Sequence, residues 1–89
     1  MSGNSDRVPV ETADVWPDGA DAEEAVVVNW FVGEGARVEA GDDLCEFQVE
    51  KVSVDVPAPT SGTLDEIVLG EDAEFGRGDT LAWIRPDDG

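Results

Sequence analysis

The segment GEGARVEAGDDL, residues 33–44, aligns without gaps on GEDAEFGRGDTL, residues 70–81. Gly33, Glu34, Ala36, Gly41, Asp42 and Leu44 recur as Gly70, Glu71, Ala73, Gly78, Asp79 and Leu81, six identities in twelve. Val38 and Phe75 share an apolar position, and upstream Trp30 and Val32 fall on Ile67 and Leu69 at the same offset of 37. Two copies are too few for a solenoid, which needs about three stacked units. The economical arrangement is two similar halves packed face to face around a pseudo-two-fold axis.

The halves read as β-structure. Residues 26–32, VVVNWFV, are rich in β-branched and aromatic side chains. Val52, Val54 and Val56 alternate with Ser53 and Asp55, and further strand-like runs hold Leu64, Ile67 and Leu69 and then Leu81 to Ile84. No stretch sustains a helical period. The expected fold is all-β, a small sandwich or flattened barrel. Its expected core is Val28, Trp30, Val32, Val38, Leu44, Phe47, Val54, Val56, Leu64, Ile67, Leu69, Phe75, Leu81 and Ile84. The Gly-Asp pairs at 41–42 and 78–79 suit turns that need positive φ.

At 89 residues the chain is one domain. The polar residues 1–11 read as a flexible segment, 12–85 as the folded unit and 86–89 as a frayed tail. Twenty-two acids against five bases give a net charge of −17. That charge argues against nucleic acid or an anionic membrane as partner. Nucleic-acid mimicry and disorder are poorer explanations than adaptation to concentrated salt, so a halophilic source is expected. With one cysteine, no internal disulfide forms; without an apolar span or signal peptide, a cytoplasmic location is expected. The absence of histidine removes the commonest general base and the usual nucleophile pairs.

Lys51 is the one lysine; the other four basic residues are arginine. Between the repeats, Leu44 to Val49 and Val52 to Val56 read as the arms of a hairpin that reverses at Glu50-Lys51. Pro57-Ala58-Pro59 ends the pairing, because proline cannot donate to a ladder. Ser61-Gly62 turns the chain into the second copy. Lys51 therefore projects into solvent from the tip of a tight turn. A solvated surface lysine is the ordinary reading of such a residue. In a chain that otherwise excludes lysine, the position reads as one that requires an amine, since arginine does not form an amide there.

The half-repeat, the VNWFVGEGARVEAGDDLCEFQ approach, the lysine at the turn and the downstream VPAP and SG together resemble the biotinyl/lipoyl attachment domain family. The resemblance spans about Thr12 to Arg85. It implies a flattened barrel of two four-stranded antiparallel sheets, a barrel-sandwich hybrid, with lipoate or biotin in amide linkage on Lys51. Biotinyl members usually flank the lysine with methionines; here the flanks are Glu50 and Val52. Lipoyl members of the 2-oxoacid dehydrogenase acyltransferase type usually carry an acid before the lysine, as here, although Gln48 and Val49 depart from their pattern. The resemblance therefore implies lipoate, with biotin as the alternative and an unmodified structural β-domain as a third reading. It implies a non-catalytic carrier with no catalytic residues of its own. Its implied partners are lipoate ligase or other lipoyl synthesis and transfer enzymes, a 2-oxoacid decarboxylase component and dihydrolipoamide dehydrogenase. A free-standing carrier and a piece of a longer acyltransferase fit equally.

Trp16-Pro17-Asp18-Gly19 opens an acidic loop. The resemblance implies that this loop sits beside the lysine turn and helps a partner recognise the carrier through Trp16, Asp18 and Gly19; a solvated linker is an equal reading. Cys45 reads as a small buried residue rather than a reactive thiol, and Trp30 and Trp83 as core. Acid pairs at 42–43, 65–66 and 71–72 arise by chance among 22 acids, so no metal site is expected.

Overall fold

Each copy of the repeat contributes a long strand, a very short one and another long one in the computed structural model, which describes residues 7–19 and 22–87. Along the chain, β1 is Val8–Glu11, β2 Glu24–Trp30, β3 Arg37–Val38, β4 Asp43–Val49, β5 Val52–Pro57, β6 Gly62–Ile67, β7 Glu74–Gly76 and β8 Thr80–Pro86. They form two four-stranded sheets, ordered β1-β8-β6-β3 and β5-β4-β2-β7, with every pairing antiparallel. This is the expected all-β sandwich. The alignment did not predict how the copies interleave. β2 and β4 lie in one sheet, whereas the short β3 of the same copy pairs β6 in the other. In the second copy, β6 and β8 share a sheet and the short β7 pairs β2. Each sheet thus contains strands of both copies, so separating the halves breaks main-chain hydrogen bonds as well as apolar contacts.

The repeated acids close this exchange. Glu34 Oε2 accepts the Ile67 N–H at 2.8 Å, and its counterpart Glu71 Oε2 accepts the Trp30 N–H at 3.3 Å. Both N–H groups lie beyond the pairing reach of the short strands. A carboxylate supplies the acceptor that a longer strand would have offered. Asp42 Oδ2 and Asp79 Oδ2 accept the Glu39 and Gly76 N–H groups, each at 2.9 Å, within the turns that follow β3 and β7. Two of the six identities in the repeat are these acids.

The core comprises Val10, Trp16, Ala25, Val27, Val38, Leu44, Cys45, Phe47, Val49, Val56, Ala58, Leu64, Phe75, Leu81, Ala82 and Ile84. Trp30, Val32, Val54, Ile67 and Leu69 pack against it half-buried. Val28, expected in the core, is 42% exposed. The β2–β4 register shifts between Val27 and Asn29, so Val28 is the extra residue of a bulge and the inward phase passes to Ala25 and Val27. The second copy bulges at the matching place, between Leu64 and Glu66.

Residues 8–11 do not form the expected loose segment. They pair with β8, where Val10 lies opposite Ala82 and is buried, because an apolar residue there covers the edge of the core. At the other end Pro86 belongs to β8. The Asp87 N–H donates to the Ser61 carbonyl at 3.2 Å, and its carboxylate pairs with Arg37 at 2.6 Å, so the tail is tied down through Asp87. The remaining residues of the two expected loose ends, 1–6 and 88–89, lie outside the described residues. Gly41 has the expected positive φ, 92°, whereas Gly78 does not; the second copy places its left-handed residue at Asp72, the counterpart of Gly35. Gly62 is required by proximity. A Cβ there would collide with the Arg85 carbonyl oxygen and lie 2.8 Å from the Pro86 Cα.

Candidate functional site

β4 and β5 form the longest ladder in the protein, running from Asp43 opposite Pro57 to Val49 opposite Val52. Two residues, Glu50 and Lys51, join them. Glu50 takes φ 56°, and Lys51 is not in that region, so the left-handed residue is the first of the two. Two-residue hairpins favour turns with positive φ, because these match the strand twist. The Val49 side chain below the turn is fully buried. Lys51 is exposed, and none of the ion pairs among the described residues involves it. The hairpin thus holds the amine out at its tip, with no ion-pair partner among the described residues. Val52, the other flank, is 44% exposed.

The β1–β2 loop reaches this tip. Glu50 Oε2 accepts the Ala22 N–H at 2.7 Å. The described part of the loop is also anchored by Trp16, which does not stand out for a partner as the recognition reading supposed. The residue is 7% exposed, its ring stacked on Phe47 at 5.8 Å between centroids and edge-on to Phe75 at 6.1 Å. Phe47 and Phe75 themselves meet at 5.4 Å, so three aromatics from the loop, β4 and β7 form one cluster beneath the lysine-bearing sheet. Aromatic pairs at these separations add to the gain from burial alone. Asp18 and Gly19 are exposed in the same loop, with Gly19 at φ 83°. Trp30 and Trp83, expected as core, are half-buried: Trp30 donates its Nε1–H to the Leu69 carbonyl at 2.9 Å, and Arg7 lies over Trp83 at 4.9 Å.

A model of the family described as "Biotin-requiring enzyme", the biotinyl/lipoyl family, matches residues 16–84. The chain belongs to this family. It is 38% identical over 69 residues to the dihydrolipoyllysine-residue acetyltransferase component of the pyruvate dehydrogenase complex of Staphylococcus aureus strain Mu50, and 36% identical to the component of the same name from Staphylococcus epidermidis strain RP62A. The alignments take in 76% of this chain but only 16% of each relative. Among solved structures, the lipoyl domain of the 2-oxoglutarate dehydrogenase complex from Azotobacter vinelandii shares the fold with a TM-score of 0.66 and 21% identity. That likeness covers 91% of this chain and 98% of that one. Kluyveromyces lactis urea carboxylase contains the same fold, with a TM-score of 0.65 and 23% identity over 88% of this chain and 7% of its own.

The two faces of this attachment domain differ in charge. Every ion pair among the described residues lies on the β1-β8-β6-β3 side: Arg7 with Asp65 and Glu66, Arg85 with Asp65, and Arg37 with Asp87. On the lysine-bearing sheet, the residues that alternate with buried ones include Glu24, Glu46, Asp55 and Glu74. Glu46 stands directly opposite Asp55. Like charges so placed destabilise a sheet. Cys45 lies on the inner side of the same strand with no exposure, and burial, helped by the Asp55 charge, pushes its thiol up to about 12. It is therefore neutral and shielded at physiological pH. Among the described residues, no group of three or more His, Cys, Asp or Glu is arranged to hold a metal ion, and no helix is long and apolar enough to cross a membrane.

Sequence reasoning found the hairpin and its two-residue reversal, with Lys51 at the tip. It missed Trp16 as an anchor and the link from Glu50 to Ala22. Trp16 left one signal, a large aromatic residue in an otherwise acidic and small-residue stretch.

Proposed function

We propose that this domain carries lipoate in amide linkage on Lys51 and serves a 2-oxoacid dehydrogenase-type complex as a swinging-arm carrier. The observation that carries this reading is the sole lysine of the chain, exposed at the tip of a rigid two-residue hairpin in a biotinyl/lipoyl fold. Glu50 and Val52 as flanks, with no methionine beside the lysine, favour lipoate over biotin. The relatives' names, which contain dihydrolipoyllysine, support the same choice. Lys51 would hold lipoate through its side-chain amine, and the group would supply the redox and acyl-carrying chemistry of a dithiolane. The chain's own work is placement and recognition. The β4–β5 ladder holds the amine clear of the surface, and amide formation removes its charge, taking the formal net charge from −17 to −18. A long tether on a fixed point raises the local concentration of its reactive end at successive active sites. The exposed residues Asp18 and Gly19 belong to the partner-recognition surface, while Trp16 supports that surface from below. The decarboxylase component, dihydrolipoamide dehydrogenase and a lipoate-attaching enzyme are the partners of this reading, in the cytoplasm.

The lipoylated domain, incubated with the 2-oxoacid decarboxylase of the same host and pyruvate, 2-oxoglutarate or a branched-chain 2-oxoacid in turn, is expected to gain an acyl group with one of them. Acylation with none would contradict the carrier reading.

A salt-rich cell interior is the further reading that the net charge of −17 supports. At about 0.01 M salt the Debye length is about 30 Å, longer than the two smaller dimensions of the domain, 23 and 20 Å; at 1 M it is about 3 Å. Salt therefore relieves repulsions such as Glu46 against Asp55. The urea midpoint should rise steeply from dilute to molar potassium chloride. An unchanged midpoint would remove the salt-adaptation reading.

A further inference from the structure

Glu50 is in an awkward place for an ordinary side chain. Its φ of 56° lies in the left-handed region, where glycine or asparagine is the comfortable choice at a hairpin turn. Its carboxylate, however, accepts the Ala22 N–H at 2.7 Å, across a sequence separation of 28. An anionic acceptor makes this a charge-assisted hydrogen bond, stronger than a neutral one. Glycine would relax the backbone and lose the link. Ala22 stands two residues before β2, and Trp16 is locked under β4 by Phe47. The described residues of the β1–β2 segment are therefore held to the lysine hairpin at two places: by aromatic packing at Trp16, and by Glu50, the residue next to Lys51, at Ala22.

We propose that Glu50 is a positioning residue. Its carboxylate fixes the entry of β2 against the hairpin, so that Lys51 and the β1–β2 segment meet the decarboxylase partner as one preformed surface. The proposal rests on the carrier reading and adds a recognition device to it. Ordering the segment in advance lowers the cost of docking. Glu50 does not touch the reacting sulfurs, so its loss acts on binding and leaves the chemical step alone.

Glu50→Gly separates this role from a merely structural one. Removing the left-handed strain should leave the urea midpoint at or above that of the wild type. Exchange of the Ala22 amide should accelerate by about fivefold, in keeping with the loss of one solvent-exposed hydrogen bond. With both proteins fully lipoylated, as checked by intact mass, the KM for the domain in reductive acylation by the host decarboxylase should rise by about the same factor. The kcat should not change. Glu50→Gln keeps an acceptor oxygen and should recover much of both effects. A Glu50→Gly protein with wild-type Ala22 exchange, or with wild-type KM, overturns the proposal. A wild-type domain that is not acylated by any 2-oxoacid overturns the carrier reading instead, a failure seen in the parent and not only in the variants; Ala22 exchange, measured on unmodified protein, still decides whether the tether exists.

Discussion

Lys51→Arg should fold as the parent does and accept no lipoate. The side chain is exposed and makes no ion pair among the described residues, so exchanging one cation for another should shift stability by no more than about 0.5 kcal/mol. The modification should vanish entirely, because a guanidinium is not acylated under conditions that acylate an amine and the sequence offers no second lysine. Incubation of both proteins with lipoate, ATP and a lipoate-attaching enzyme, followed by intact mass and urea denaturation, reads the two effects separately. Residual lipoylation of the variant would place the attachment elsewhere. Loss of the fold would make Lys51 structural.

Trp16→Ala should be among the most damaging single truncations. The indole is almost fully buried and bridges Phe47 of β4 and Phe75 of β7. Truncating a large buried aromatic to alanine costs about 3–5 kcal/mol, through lost transfer energy and the cavity left behind. A small domain is stable by only about 5–10 kcal/mol in all, so the variant should sit near the edge of unfolding. Trp30→Ala should cost less, since that ring is half-exposed, although its loss also strands the Leu69 carbonyl. Urea unfolding of the two variants in molar salt gives the comparison. A cost below about 1 kcal/mol at Trp16 would mean that the aromatic cluster does not anchor the β1–β2 loop.

The repeat, the hairpin and Lys51 were legible because each is carried by local residues: paired Gly-Glu and Gly-Asp turns, alternating valines, and a unique amine at a two-residue reversal. Val28 was misplaced because three consecutive valines read equally well in either phase. The bulge that decides between them is a property of the β2–β4 pairing. Trp16 was read as a recognition residue, or as part of a solvated linker, and not as an anchor. Its partners come from β4 and β7, and no periodicity within the loop announces them. The interleaving of the copies was hidden for a similar reason, since a strand of two or three residues carries no mark of the sheet it joins. Glu34, Asp42, Glu71 and Asp79 were visible as identities and as turn residues, but their role as acceptors was not read from them. Their recurrence at a fixed offset was the sign that they accept main-chain N–H groups.

The most direct test of the account is a peptide map of the protein purified from its native host grown with ample lipoate. The account predicts that Lys51 carries lipoate in amide linkage. An unmodified Lys51, or one carrying biotin, would contradict it.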